Sequence, residues 1–105
     1  MDKKSILKII VQFKKALERK GVKVSQLILF GSWANNTPRE DSDIDLVVVS
    51  KDFEGKNFWE RIDLISEAIY EVFAPIEAIA LTPPEWDKGD SLICTYVKKG
   101  ELLSV

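Results

Sequence analysis

Two aspartates, Asp43 and Asp45, stand two residues apart at the start of an apolar run, Leu46-Val47-Val48-Val49. Residues i and i+2 of a strand project to the same face, so these carboxylates emerge side by side, about 6–7 Å apart at the backbone. Like charges at that distance repel unless something positive sits between them. A hard divalent cation such as Mg²⁺ fits, because it takes oxygen ligands and keeps positions for water and phosphate. Two such ions about 4 Å apart activate an attacking oxygen and stabilise a leaving one. The plainer reading of an Asp-x-Asp pair is one residue turning the chain and one in water. The run after Asp45 argues against it here: a strand that is continuously apolar is covered on both faces, and carboxylates at its mouth need a reason. Glu40 and Asp41, further out in a polar stretch, read as solvated.

Upstream, Leu27-Ile28-Leu29-Phe30 runs directly into Gly31-Ser32. A glycine after a buried strand lets the backbone turn sharply and approach a ligand. N–H groups in such a turn cradle phosphate, and the Ser32 hydroxyl adds a donor. A third carboxylate, Glu77, shares a strand face with Ile79 and Leu81, where a charge is costly unless paired or coordinated. With its strand beside that of Asp45, Glu77 reaches the same cation or takes a proton from an incoming hydroxyl; with its strand at an edge, it lies in water.

The composition narrows the chemistry further. The chain has 105 residues, with 46% hydrophobic and 30% charged, which are values of a globular protein. Its length predicts one domain, residues 1–105, burying roughly two-thirds of its unfolded surface. Fifteen Lys and Arg against seventeen Asp and Glu leave a net charge of −2, so no basic excess is available for nucleic acid and direct DNA binding is not expected. There is no histidine and one cysteine, Cys94. This removes histidine-based zinc sites, Ser-His and Cys-His nucleophile pairs and an internal disulfide. The N-terminal apolar run is broken by Lys8 with no cleavage site after it, and no run is long enough to span a bilayer. The expected compartment is the cytoplasm, with no membrane association.

Periodicity supplies the elements that must position these groups. Ile6, Ile9, Ile10, Phe13 and Leu17 lie on one helical face, ended at Gly21. Val24 to Phe30 reads as a buried strand, residues 31–42 as a polar loop, and Ile44 to Val49 as a second strand. Lys51 to Gly55 is a turn. Phe58, Ile62, Ile65, Ile69, Val72 and Phe73 mark a second amphipathic helix, ended by Pro75. Ile76 to Leu81 is a third strand closed by Pro83-Pro84. Leu92, Ile93, Tyr96 and Val97 suggest a last short helix, capped by Asp90 or Ser91 and stopped at Gly100. The tail from Glu101 adds a brief edge strand. The predicted class is α/β (α+β), a small mixed sheet of three to four strands flanked by helices.

Gly31-Ser32-Trp33-Ala34 followed by Ser42-Asp43-Ile44-Asp45-Leu46 resembles the signature of the polymerase-beta-type nucleotidyltransferase superfamily. The short chain resembles its minimal nucleotidyltransferase branch, and the resemblance covers essentially the whole sequence. It implies that Gly31 and Ser32 hold the triphosphate of ATP. It also implies that Asp43, Asp45 and Glu77 are the catalytic carboxylates and bind Mg²⁺, two ions in all. Two positions depart from the family pattern. Glu77 stands where aspartate is usual and is one methylene longer. Asn35-Asn36 stands where Arg-Gly is common, which removes one phosphate contact. Members of the branch pair with a small helical HEPN protein, a ribonuclease toxin. The nucleotidyltransferase is the antitoxin, transferring AMP from ATP to a tyrosine of the toxin. The resemblance therefore implies a protein adenylyltransferase whose partner is a HEPN toxin.

Two other functions stay open. One is an antitoxin that neutralises its partner by binding alone; the other is transfer to a small molecule of the aminoglycoside type, for which related enzymes usually carry an extra domain. Trp33 reads as packing its loop or stacking on a base, and Arg39 as solvated. Trp59 and Trp86 read as core residues, Trp86 alternatively as part of a partner surface. Cys94, among Leu92, Ile93 and Tyr96, reads as a buried small residue.

Overall fold

The computed structural model describes residues 3–30, 43–88 and 101–103. Helix α1, Lys3–Arg19, follows from its apolar spacing: Ile6, Ile10, Phe13, Ala16 and Leu17 are all buried. It stops because the chain turns left-handed at Gly21, φ 87°. Val22 N–H then donates to the Leu17 carbonyl and Gly21 N–H to that of Glu18, both at 3.0 Å, which satisfies two of the orphan carbonyls of the last turn.

Strand β1, Gln26–Phe30, pairs antiparallel with β2, Ile44–Val49. A 3₁₀ turn at Lys51–Phe53 leads to α2, Phe58–Val72. Strand β3, Ile76–Leu81, returns parallel to β2, as a strand reached through a crossover helix does. Helix α3, Pro83–Lys88, follows, and β4, Glu101–Leu103, pairs antiparallel with the free side of β1. The sheet order is β3-β2-β1-β4. This is the mixed four-stranded α/β architecture expected from the sequence, including the edge strand in the tail.

The two sheet faces have different fates. Leu27, Leu29, Ile44, Leu46 and Val48 join α1 and α2 in the main core. Ile28, Val47 and Val49 face the other way, packed by Phe30, Ile79, Leu81 and Trp86. β2 is therefore buried on both sides, as its unbroken apolar run requires. The outer edge at β3 is partly covered: Arg61 Nη1 donates to the Ala80 carbonyl at 3.3 Å and to Glu85 Oε1 at 2.8 Å.

Four local expectations are corrected. The first strand begins at Gln26 rather than Val24. Pro83-Pro84 does not merely close a strand but opens α3, where proline's missing N–H costs nothing. Thr82 and Glu85 bracket that helix start reciprocally, Glu85 Oε1 accepting from Thr82 N–H at 2.7 Å and Thr82 Oγ1 from Glu85 N–H at 3.3 Å. On α2 the buried stripe is Ile65 and Ala68, flanked by Leu64, Ile69 and Val72. Phe58, Ile62 and Phe73, expected on the core face, are exposed, and so is Trp59, expected in the core. A helix laid against α1 and the sheet buries only one stripe, and α2 carries apolar residues over a wider arc than that. The last expected helix, around Leu92 to Val97, lies outside the described residues.

α2 starts on a reciprocal cap. Asn57 Oδ1 accepts from Glu60 N–H at 2.9 Å, and Glu60 Oε1 accepts from Asn57 N–H at 3.1 Å. Asn57→Ala is expected to cost about 1 kcal/mol in urea unfolding; an unchanged midpoint would show that the cap adds nothing.

Candidate active site

Register decides how the carboxylates meet. β2 and β3 run parallel with Asp45 opposite Glu77, and β1 and β2 run antiparallel with Phe30 opposite Asp45. Alternation puts Asp45 on the same sheet face as Val47 and Val49, and Glu77 on the same face as Ile79 and Leu81. Both carboxylates thus stand on the face turned away from α1 and α2. They lie at the end of β2 where β1 finishes at Phe30, one residue before Gly31 in the chain. Asp43 precedes β2 by one residue and is exposed; Asp45 is half-buried and Glu77 exposed.

The register sets the Asp45 and Glu77 carboxyls side by side on neighbouring strands. Burial pushes the Asp45 carboxyl above its ordinary range, the negative charges of Glu77 and Asp43 push it further, and the hydrogen bond to Glu77 adds to them. Among the described residues no Lys or Arg forms an ion pair with any of the three. Among the described residues the site is therefore an anionic corner on an otherwise apolar sheet face.

That donor set is all oxygen and hard, which suits Mg²⁺, an ion commonly held by one or two carboxylates with the rest of its octahedron left to water and phosphate. The three side chains do not close on one point: among the described residues no group of three carboxylates is gathered tightly enough to hold a metal by itself. Asp45 and Glu77 are cross-strand neighbours, and the charge of Asp43 acts on Asp45. Gly31 and Ser32, the expected phosphate turn, lie outside the described residues, as do Trp33, Asn35, Asn36, Arg39 and Cys94. Trp86 packs on the sheet face that carries the carboxylates, in line with a core role. Phe30, which the sequence marks only as the last apolar residue before Gly31, is the cross-strand neighbour of Asp45.

A mixed sheet with neighbouring carboxylates at the end of a buried central strand presents hard oxygen ligands where a divalent ion and a phosphate could meet. Residues 10–99 match the nucleotidyltransferase domain family, and the chain belongs to it. It is 32% identical over 87 residues, 79% of its length, to a Methanocaldococcus jannaschii protein named "Putative protein adenylyltransferase MJ1305". The chain spans about three-fifths (59%) of that relative. It is also similar to a crystal structure from Sulfolobus solfataricus titled as a putative nucleotidyltransferase, with a TM-score of 0.60 and 25% identity over 97% of this chain and 87% of the other. Among the described residues, no helix is long and apolar enough to cross a membrane.

Proposed function

We propose that this chain is a single minimal nucleotidyltransferase domain that transfers AMP from ATP to a tyrosine hydroxyl of a partner HEPN toxin, acting as its antitoxin in the cytoplasm. The observation that carries the reading is the register placing Glu77 directly beside Asp45 on one sheet face. Membership of the nucleotidyltransferase domain family supports the reaction class, and the name carried by the archaeal relative supports a protein acceptor.

In this reading Asp45 and Glu77, with Asp43 beside them, would hold Mg²⁺, which would neutralise the phosphates and polarise the α-phosphorus. The acceptor hydroxyl oxygen forms a bond to the α-phosphorus as the bond to the bridging oxygen breaks, and pyrophosphate leaves. Glu77, the exposed member of the pair, takes the hydroxyl proton. Gly31 and Ser32, next in the chain after Phe30, hold the triphosphate.

The test is transfer of label from α-phosphate-labelled ATP to the partner, with and without Mg²⁺. Wild type is expected to label the partner only with the metal, and Glu77→Gln to lose that labelling. Glu77→Asp, which restores the family's usual residue, is expected to keep it. A wild type that silences the partner without transferring label would replace this reading with neutralisation by binding alone.

A further inference from the structure

At about 100° per residue, the side chains of α2 fall on three faces. Leu64, Ile65, Ala68 and Val72 turn into the core. Glu67 and Glu71 turn toward the end of α1, where Lys20 Nζ lies 3.6 Å from Glu67 and 2.9 Å from Glu71, and Arg19 Nη2 lies 2.8 Å from Glu71. The third face carries Phe58, Trp59, Ile62, Ser66, Tyr70 and Phe73. Its large residues are exposed: Phe58 66%, Trp59 71%, Ile62 37%, Tyr70 76% and Phe73 92%.

The large residues of this face are evenly spaced about Ser66. Ile62 lies four residues before Ser66 and Tyr70 four after it; Trp59 lies seven before and Phe73 seven after. With two copies crossed antiparallel on a two-fold axis at Ser66, that spacing sets Ile62 opposite Tyr70 and Trp59 opposite Phe73 in both directions, an isologous contact. The relief matches too. At one end Phe58 and Trp59 project as an edge-to-face pair with centroids 5.3 Å apart. At the other, Ile69, Tyr70, Phe73, Ala74 and Pro75 line a hollow of about 310 Å³. At roughly 200 Å² per large aromatic side chain the exposures amount to some 700 Å² per copy. Full burial of these side chains in both copies would remove about 1,400 Å² from water, against the ~1,200–2,000 Å² of a specific interface. Phe73 ends α2 in the left-handed region, φ 56° and ψ 52°, a position suited to glycine, while its ring lies in solvent.

We propose that this face is a dimer interface, in which the α2 helices of two copies of this chain cross antiparallel at Ser66 and the Phe58–Trp59 pair of each copy seats in the hollow beside Phe73 of the other. The carboxylates stand on the opposite face of the sheet, so both sites stay open in the dimer.

Sedimentation velocity on the wild-type chain from low to high micromolar concentration is expected to show a species of twice the 11.9 kDa chain mass. Tyr70→Glu is expected to raise the dissociation constant at least a hundredfold with an unchanged far-UV spectrum. Phe73→Gly is expected to separate two effects, raising the thermal midpoint of dilute monomer while weakening the dimer at least tenfold. In a Cys94→Ala background, Ser66→Cys is expected to cross-link two copies on mild oxidation, whereas Glu67→Cys is not. A wild type that stays monomeric throughout overturns the proposal; if Tyr70→Glu then weakens a heterologous partner's binding, the face belongs to that partner. A dimer that survives Tyr70→Glu without Ser66→Cys cross-linking overturns it as well.

Discussion

Asp45→Asn is expected to abolish labelled-AMP transfer and, at the same time, to make the magnesium-free protein more stable at pH 7. The first effect follows from the function proposed above. A metal clamp supplies several kcal/mol of transition-state stabilisation, and each 1.36 kcal/mol is tenfold in rate, so the loss is on the order of a thousandfold or more. The second follows from the folded protein alone. Burial and the charges of Glu77 and Asp43 hold the Asp45 carboxyl above its ordinary range, so the folded state binds a proton more readily than the unfolded chain. The stability this contributes is present below the unfolded carboxylate range and is lost as pH rises through the raised folded value. At pH 7, above the unfolded carboxylate range, the raised value therefore opposes folding, and an amide of the same shape removes that opposition. Urea midpoints between pH 3.5 and 7 check the sign. Wild type should lose stability relative to Asp45→Asn as pH rises, and saturating Mg²⁺ should restore wild type alone. A variant that is less stable than wild type at pH 7 without metal would show that Asp45 is held by favourable contacts, and the anionic-corner account would fail.

Phe53→Ala is expected to cost about 3–5 kcal/mol, the range for truncating a fully buried phenylalanine. Against a total of about 5–15 kcal/mol for a domain this size, that is a large share. Phe53 sits in the 3₁₀ turn between β2 and α2 with its ring in the main core. The turn is held by polar groups as well. Buried Ser50 donates through Oγ to the Lys23 carbonyl at 2.7 Å and accepts from Asp52 N–H at 3.1 Å, while Asp52 Oδ2 accepts from Lys23 N–H at 2.6 Å. This corner launches the crossover that lays β3 parallel to β2, and so brings Glu77 opposite Asp45. Loosening it is expected to reduce transfer even under conditions where the variant remains folded. Chemical denaturation gives the stability loss and label transfer the functional one. A loss below about 1 kcal/mol would mean that the site collapses around the missing ring, or that the corner contributes little.

How much of this was legible in the residues differs by element. The strand from Ile44 to Val49 was legible because an unbroken apolar run bounded by polar residues marks a buried strand, while Asp43 falls one residue before it. The edge strand in the tail and the end of α1 at Gly21 were legible for similarly local reasons. The length of apolar β2 even foretold that it would be covered on both sides. α3 was misjudged because proline stops a strand and starts a helix with the same covalent feature, and the deciding Thr82–Glu85 bracket is a contact between side chains and backbone.

Two matters were decided only by the tertiary structure. Whether Glu77 belongs with Asp45 depends on a parallel pairing of strands separated by a whole helix, and no local signal sets the register of such a pair. Which stripe of α2 enters the core was equally out of reach. Periodicity reports that a helix has apolar residues, while the arc that is buried depends on what packs against it: here α1 and the sheet take Ile65, Ala68 and Val72 and leave Phe58, Trp59, Ile62, Tyr70 and Phe73 outside. Hydrophobic burial is non-directional, so the residues alone determine that surface will be removed from water, and only the packed neighbours determine which surface that is.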